Sequence, residues 1–207
     1  MSQLKRINKK QIADITDNIL IGYYQGEITL PIDIEGIMEK FFHLKPILQK
    51  NLETSGTGEA FITIGTQQII IDHALYMNPK RTSRLNFSIA HEIAHFVLHK
   101  EYFQNINQID EYISKIQNIS DNTFSRIERE ANIFAGYILL PQELIEKEIS
   151  NQYKDIKDWE LPDTGIFVKQ LSDKAMCSPT TTCIQIKGFK PHLKLQLDAI
   201  IDLHRKR

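Results

Sequence analysis

Apolar residues first recur at helical spacing. Ile12, Ile15, Ile19 and Leu20 stand among polar neighbours and predict an amphipathic helix over 8–20. Beyond Pro31, residues Ile34, Ile37, Met38, Phe41 and Phe42 fall at i, i+3, i+4, i+7 and i+8, with Asp33 placed to cap a second helix and Pro46 to bound it. The texture then changes. Residues 55–58 read as a loop, and 60–64 and 69–72 read as two short strands around Gly65-Thr66. Ile69-Ile70-Ile71 is β-branched throughout, which favours a strand.

Helical periodicity returns from Leu85 to His99, where Phe87, Ala90, Ala94, Val97 and Leu98 supply a buried sector. Residues 101–121 are rich in Asn, Gln, Asp and Ser and read as a surface insertion or short helix. Another helix is expected from Ser125 to Leu140, stopping before Pro141, which opens the next. The polar stretch 150–165 marks a subdomain boundary. The resulting division is an N-terminal helical extension (1–30), a central domain (31–149) and a small helical C-terminal subdomain (150–207). The expected fold class is α+β, a short antiparallel sheet packed on helices.

Composition narrows the function. Apolar residues make up 42% and charged residues 25%, values of an ordinary globular chain. Lys and Arg number 25 against 26 Asp and Glu, which disfavours nucleic-acid binding by the whole surface. Two cysteines, Cys177 and Cys183, are too few for a disulfide framework and are expected as buried thiols. No apolar run approaches a membrane span, and no apolar stretch follows the basic N-terminus, so a cytoplasmic protein is expected.

His91-Glu92-Ile93-Ala94-His95 is an HExxH sequence inside a predicted helix. Residues four apart differ by about 40° around a helix axis, so both imidazoles leave one face and can converge on one ion. Glu92 borders that site and is placed to take a proton from a water activated there. Two imidazoles and a carboxylate suit Zn²⁺, which lowers the pKa of water toward about 7. Chance alone produces the motif in on the order of one chain in a hundred, so it needs a third ligand to support it.

Several residues compete for that place. His99 lies a further turn along the same helix, about 6 Å of rise beyond His95, which suits a supporting role better than a ligand. A metzincin would need Gly at 98 and His at 101; Leu98 and Glu101 exclude it. On the Ser125–Leu140 helix, Glu128 and Asn132 share a face. Glu128 could bind the ion while Asn132 hydrogen-bonds a ligand histidine. Glu130 would require a rotated helix. Ser125-x-x-Glu128 also fits a capping box, in which Glu128 merely closes the helix start.

His91–His99 (HEIAHFVLH) followed by Glu128–Pro141 (EREANIFAGYILLP) resembles the ImmA/IrrE family of zinc metallopeptidases, whose pattern is HELxHxxLH and then ExxANxFAxxLLxP. Arg84-Leu85-Asn86-Phe87-Ser88-Ile89-Ala90 is similar to that family's lead-in, and Ile69–Asp72 to its preceding strand. Ile93-Ala94 stands where Leu-Gly is common, and the first 30 residues have no clear counterpart. The resemblance implies a gluzincin-like endopeptidase with one zinc on His91, His95 and Glu128, and Glu92 catalytic. It also implies a protein substrate, a helix-turn-helix repressor of a phage, mobile element or stress response. The competing class is a non-proteolytic regulator or toxin–antitoxin component that uses the metal structurally and acts by binding.

Three further features carry expectations. The Ile69–Asp72 strand could be an edge for an extended peptide or a plain core strand. His73 and Tyr76 follow it and could approach the cleft to stabilise an oxyanion. Residues 170–187 suggest a helix, a Cys-Ser turn and a second helix. From 161 to 207 there are eight Lys and Arg against four Asp and Glu. That excess would attract DNA or an acidic protein partner, although Thr180-Thr181-Thr182 makes a poor recognition helix.

Overall fold

The computed structural model describes residues 6–52, 58–152 and 160–205. Helix α1 (Lys9–Tyr24) opens with a capping box between Asn8 and Gln11 and buries Ile12, Thr16, Ile19 and Leu20. A single turn, α2 (Ile34–Gly36), is capped by Asp33, which accepts from the Gly36 N–H at 2.9 Å. It runs directly into a π-helical turn, Ile37–Phe41. An added Cβ at Gly36 would collide with the Asp33 carboxylate and the Tyr23 hydroxyl, so this tight entry requires glycine.

Three strands follow: β1 (Lys45–Gln49), β2 (Ala60–Thr63) and β3 (Gln68–Asp72). Their order is β1-β3-β2, with β1 parallel and β2 antiparallel to β3. The expected all-antiparallel sheet is therefore corrected to a mixed one. A hairpin joins β2 and β3, while β1 reaches β3 by a longer connection, and that permits the parallel pairing. The candidate peptide-binding edge is corrected as well. The isoleucine strand β3 is central, both neighbours are taken, and Ile69 and Ile71 are wholly buried. The edges are β1, which carries Pro46, and β2.

The remaining elements are helical: α3 (His73–Tyr76), a 3₁₀ turn (Pro79–Arg81), α4 (Thr82–Leu98), α5 (Lys100–Phe103), α6 (Ile109–Gln117), α7 (Asp121–Leu139), α8 (Gln142–Gln152), α9 (Leu161–Ala175), α10 (Pro179–Phe189), a 3₁₀ turn (Pro191–Leu193) and α11 (Lys194–Arg205). The chain is thus helix-rich with a small sheet, an α+β fold. Helices α4 and α7 form its centre. One buries Leu85, Ile89, Ala90, Ile93 and Ala94, the other Ile127, Ala131, Phe134, Ala135 and Ile138. Helix α1 packs on α7, and β2 packs on α4.

The polar segment 101–121 contributes more than surface. Phe103 and Ile106 are buried, and Phe103 stands edge-on to the His95 ring with centroids 5.2 Å apart. Near the C-terminus, Met176 takes a left-handed conformation that ends α9, and Ser178 caps α10, so the Cys-Ser turn joins two helices. Cys177 and Cys183 are free, buried thiols. Burial pushes each of them up to about 12. Helix α10 rests on α7 and α8, and the α10–α11 contact includes a Lys187–Asp198 ion pair at 2.6 Å. Part of the polar stretch 150–165 lies outside the described residues, as does most of the 55–58 loop. Among the described residues no helix is long and apolar enough to cross a membrane.

Candidate metal centre and active site

Helix α4 carries His91, Glu92 and His95 in mid-helix, where intrahelical bonding and packing on α7 fix the backbone. The two Nε2 atoms of His91 and His95 lie 3.1 Å apart. Glu128 of α7 faces both: Oε2 is 3.3 Å from His91 Nε2 and Oε1 is 3.4 Å from His95 Nε2. With metal–ligand bonds of about 2.0–2.2 Å, donors around a tetrahedral zinc stand about 3.3–3.5 Å apart. The two imidazole nitrogens and the Glu128 carboxylate, which turns one oxygen to each of them, therefore stand at roughly the separations that ligands of one zinc ion require. Helix α7 begins at Asp121, so Glu128 lies inside it and closes no helix start, unlike a capping-box glutamate.

The partners of each imidazole fix its tautomer. The Asn132 Oδ1 atom, 3.2 Å from His91 Nδ1, can only accept. His91 Nδ1–H therefore donates, and the Nε2 lone pair is left for an ion. Below His95, its Nδ1 meets His99 Nδ1 at 3.1 Å, and His99 Nε2 meets Glu130 Oε2 at 3.2 Å. A carboxylate accepts from His99, His99 accepts from His95, and the His95 Nε2 lone pair is likewise free. Glu130 and His99 are almost fully buried and lie behind His95, on the side away from Glu128. Asn132 stands where its spacing from Glu128 suggests, and His99 occupies a supporting position.

Glu92 is buried, accepts from the Ile62 N–H of β2, and has a second oxygen, Oε2, with no hydrogen-bond partner. An orphaned buried carboxylate oxygen beside three convergent donors fits a site built for a cation and a water. His91, Glu92 and His95 each present a donor atom within 4.8 Å of the others. Burial pushes the Glu92 carboxyl up to about 7, helped by the Glu128 charge and opposed by His91. Burial would lower His91, but hydrogen bonding to Glu128 and the nearby Glu92 charge outweigh it and hold His91 above its usual value. Burial lowers His95 to about 4. Burial of Glu128 is overcome by its two imidazole partners, which hold it well below the carboxylate range.

A cavity of about 260 Å³ opens onto these groups. Two of its lining residues had no motif to announce them. Tyr112 of α6 is buried, and desolvation together with the charges of Glu92 and Glu128 raises its phenol well above the usual value. Its only sequence signal was an aromatic in a polar stretch. Glu59, just before β2, is bound by both Arg81 and Arg84 and also lines the cavity. The Tyr76 hydroxyl donates to Glu35 at 3.2 Å, and neither His73 nor Tyr76 lines this cavity.

Residues 72–171 match the model of the Peptidase M78 family, described as the IrrE N-terminal-like domain. Comparison with curated proteins gave no match. Among solved structures, a Mycobacterium tuberculosis transcriptional regulator is similar with a TM-score of 0.55 and 16% identity over 86% of this chain. The alignment spans 46% of that protein, about half its length, and at this identity the likeness establishes shared fold alone. The family match covers just under half of the chain and supports the ImmA/IrrE resemblance of residues 72–171.

Proposed function

We propose that this protein is a zinc-dependent endopeptidase in which His91, His95 and Glu128 hold one zinc per chain and Glu92 is the general base. The observation that carries the reading is the convergence of His91 Nε2 and His95 Nε2, 3.1 Å apart, on the two oxygens of Glu128 at 3.3 and 3.4 Å, beside a buried carboxylate with an unpaired oxygen. Zinc, when bound, supplies Lewis acidity that polarises a scissile carbonyl and makes water nucleophilic at neutral pH. Glu92 takes the proton from the attacking water at its free Oε2 and delivers it to the departing amine.

Tyr112, on the same cavity, is the residue best placed to donate to the oxygen on which negative charge develops. Its raised pKa keeps the phenol protonated and able to donate. Asn132 and the His99–Glu130 pair orient the ligand imidazoles. A non-catalytic structural zinc would need a fourth protein ligand. His99, the nearby candidate, is engaged with His95 and Glu130 instead, and this supports catalysis over the binding-only reading.

The family resemblance supplies the substrate class, a helix-turn-helix repressor. The test is a native lysate incubated with chelator-treated protein before and after one equivalent of zinc. Zinc should restore a small set of new protein N-termini, read by mass spectrometry. A zinc-replete sample that creates none would overturn the proposal.

A further inference from the structure

A second cavity, of about 880 Å³, lies between α7 and α10 and is the larger of the two. Its volume is near the upper end of the range of about 300–1,000 Å³ usual for ligand sites. Arg84, Phe87, Glu128 and Asn132 line both cavities, so a chain bound at the metal centre can continue into this groove. The Gln185 amide of α10 lies directly over Gly136, where the two walls meet.

The chemistry of the walls is asymmetric. Phe87, Ile133 and Tyr137 supply apolar surface, and Ile184 of α10, 49% exposed, adds to it. Around them stand three cations, Lys9, Arg84 and Arg129. Arg84 is shared with Glu59, but Lys9 and Arg129 are exposed and have no ion-pair partner among the described residues. The one acidic residue of the lining, Glu128, turns both oxygens to the imidazoles. The groove therefore offers apolar contact and unneutralised positive charge, and no free carboxylate.

We infer that this groove binds a segment of the protein substrate beside the scissile bond, with apolar side chains against Ile184 and Phe87 and carboxylates toward Lys9 and Arg129. The inference rests on the peptidase reading for the identity of its occupant. A basic segment would meet the unpaired like charges of Lys9 and Arg129, which disfavour it and favour an acidic one. Apolar walls leave little to pair with a phosphate backbone, so a nucleic acid is the less suited occupant.

The test uses the full chain carrying Glu92→Gln, so that bound peptides stay intact. Two fluorescent peptides share one Leu/Phe pattern, one flanked by glutamates and the other by lysines; oligothymidylate serves as a third probe. Anisotropy at fixed ionic strength should show the glutamate peptide binding about tenfold more tightly than the lysine peptide. Lys9→Glu combined with Arg129→Glu should abolish or reverse the preference, and Ile184→Asp should weaken the glutamate peptide about tenfold without a change in melting temperature. Equal affinities, a preference that survives charge reversal, or oligothymidylate displacing the glutamate peptide would each overturn the groove assignment. Cleavage by the zinc-loaded wild type is read separately. Selective binding without cleavage anywhere sinks the peptidase reading alone, and cleavage without charge preference sinks the groove alone.

Discussion

His95 Nδ1 lies 3.1 Å from His99 Nδ1, and the far nitrogen of His99 lies 3.2 Å from a carboxylate oxygen of Glu130, so one buried line of hydrogen bonds runs from α7 to the back of His95. A chain of this kind polarises the imidazole toward the ion and fixes its ring plane. In the proposed zinc site, Glu130 and His99 would act through His95 as positioning residues. Glu130→Gln should weaken zinc binding about 10-fold, and His99→Phe between about 10- and 100-fold. Competition against a chromophoric chelator measures both, and unchanged affinity in His99→Phe would show that the line carries no influence.

Asn132 performs the matching task for His91. Asn132→Ala should reduce zinc affinity about 10-fold, and Asn132→Asp should restore it, because a carboxylate accepts from Nδ1–H equally well. Failure of the aspartate to rescue would point to packing rather than hydrogen bonding.

The elements at this centre differ in how far periodicity exposes them. Helices α1, α4 and α7 announce themselves because each buries one apolar stripe, and HExxH needs only helix geometry to bring two imidazoles together. Strand β1 does not, since Pro46 weakens the strand signal and four of its five residues are exposed. Its parallel pairing with β3 joins residues 45–49 to 68–72, a non-local choice no local pattern encodes. Glu128 and Asn132 were legible through shared spacing. Tyr112 and Glu59 were not, because each reaches the cavity only through the packing of α6 and the approach to β2.

Tyr112→Phe removes the phenolic donor while keeping the ring that packs on Phe61 and Phe103. Its kcat should fall about 10²-fold with KM little changed. A change confined to KM would assign Tyr112 to substrate binding.

Metal-free protein carries a pH signature of Glu92. Its folded carboxyl, raised to about 7, binds a proton the unfolded chain has already released. The associated stability is complete below the ordinary carboxylate range and is lost as pH rises through about 7. Glu92→Gln, which cannot ionise, should gain on the wild type across that window by on the order of 1–3 kcal/mol in urea titrations. A difference independent of pH would show that Glu92 is ionised throughout.

Between α1 and α2, Asp33 accepts from the Tyr23 hydroxyl at 2.6 Å and from the Gly36 N–H. The Tyr23 bond holds its carboxyl below the usual range. That contribution is present above the unfolded value and is lost as pH falls through the folded one. Asp33→Ala should cost about 1 kcal/mol at neutral pH and less in acid, as read from thermal melts. An equal cost at both pH values would remove the capping carboxylate from the explanation.

The most direct test of the central claim compares wild type with Glu92→Gln at equal, verified zinc content in the same native lysate, read as new protein N-termini. The wild type should generate a few defined termini and Glu92→Gln none, because the substitution leaves His91, His95 and Glu128 in place and removes only the proton acceptor. Identical termini from the two proteins would contradict the claim that Glu92 is the base of a zinc peptidase.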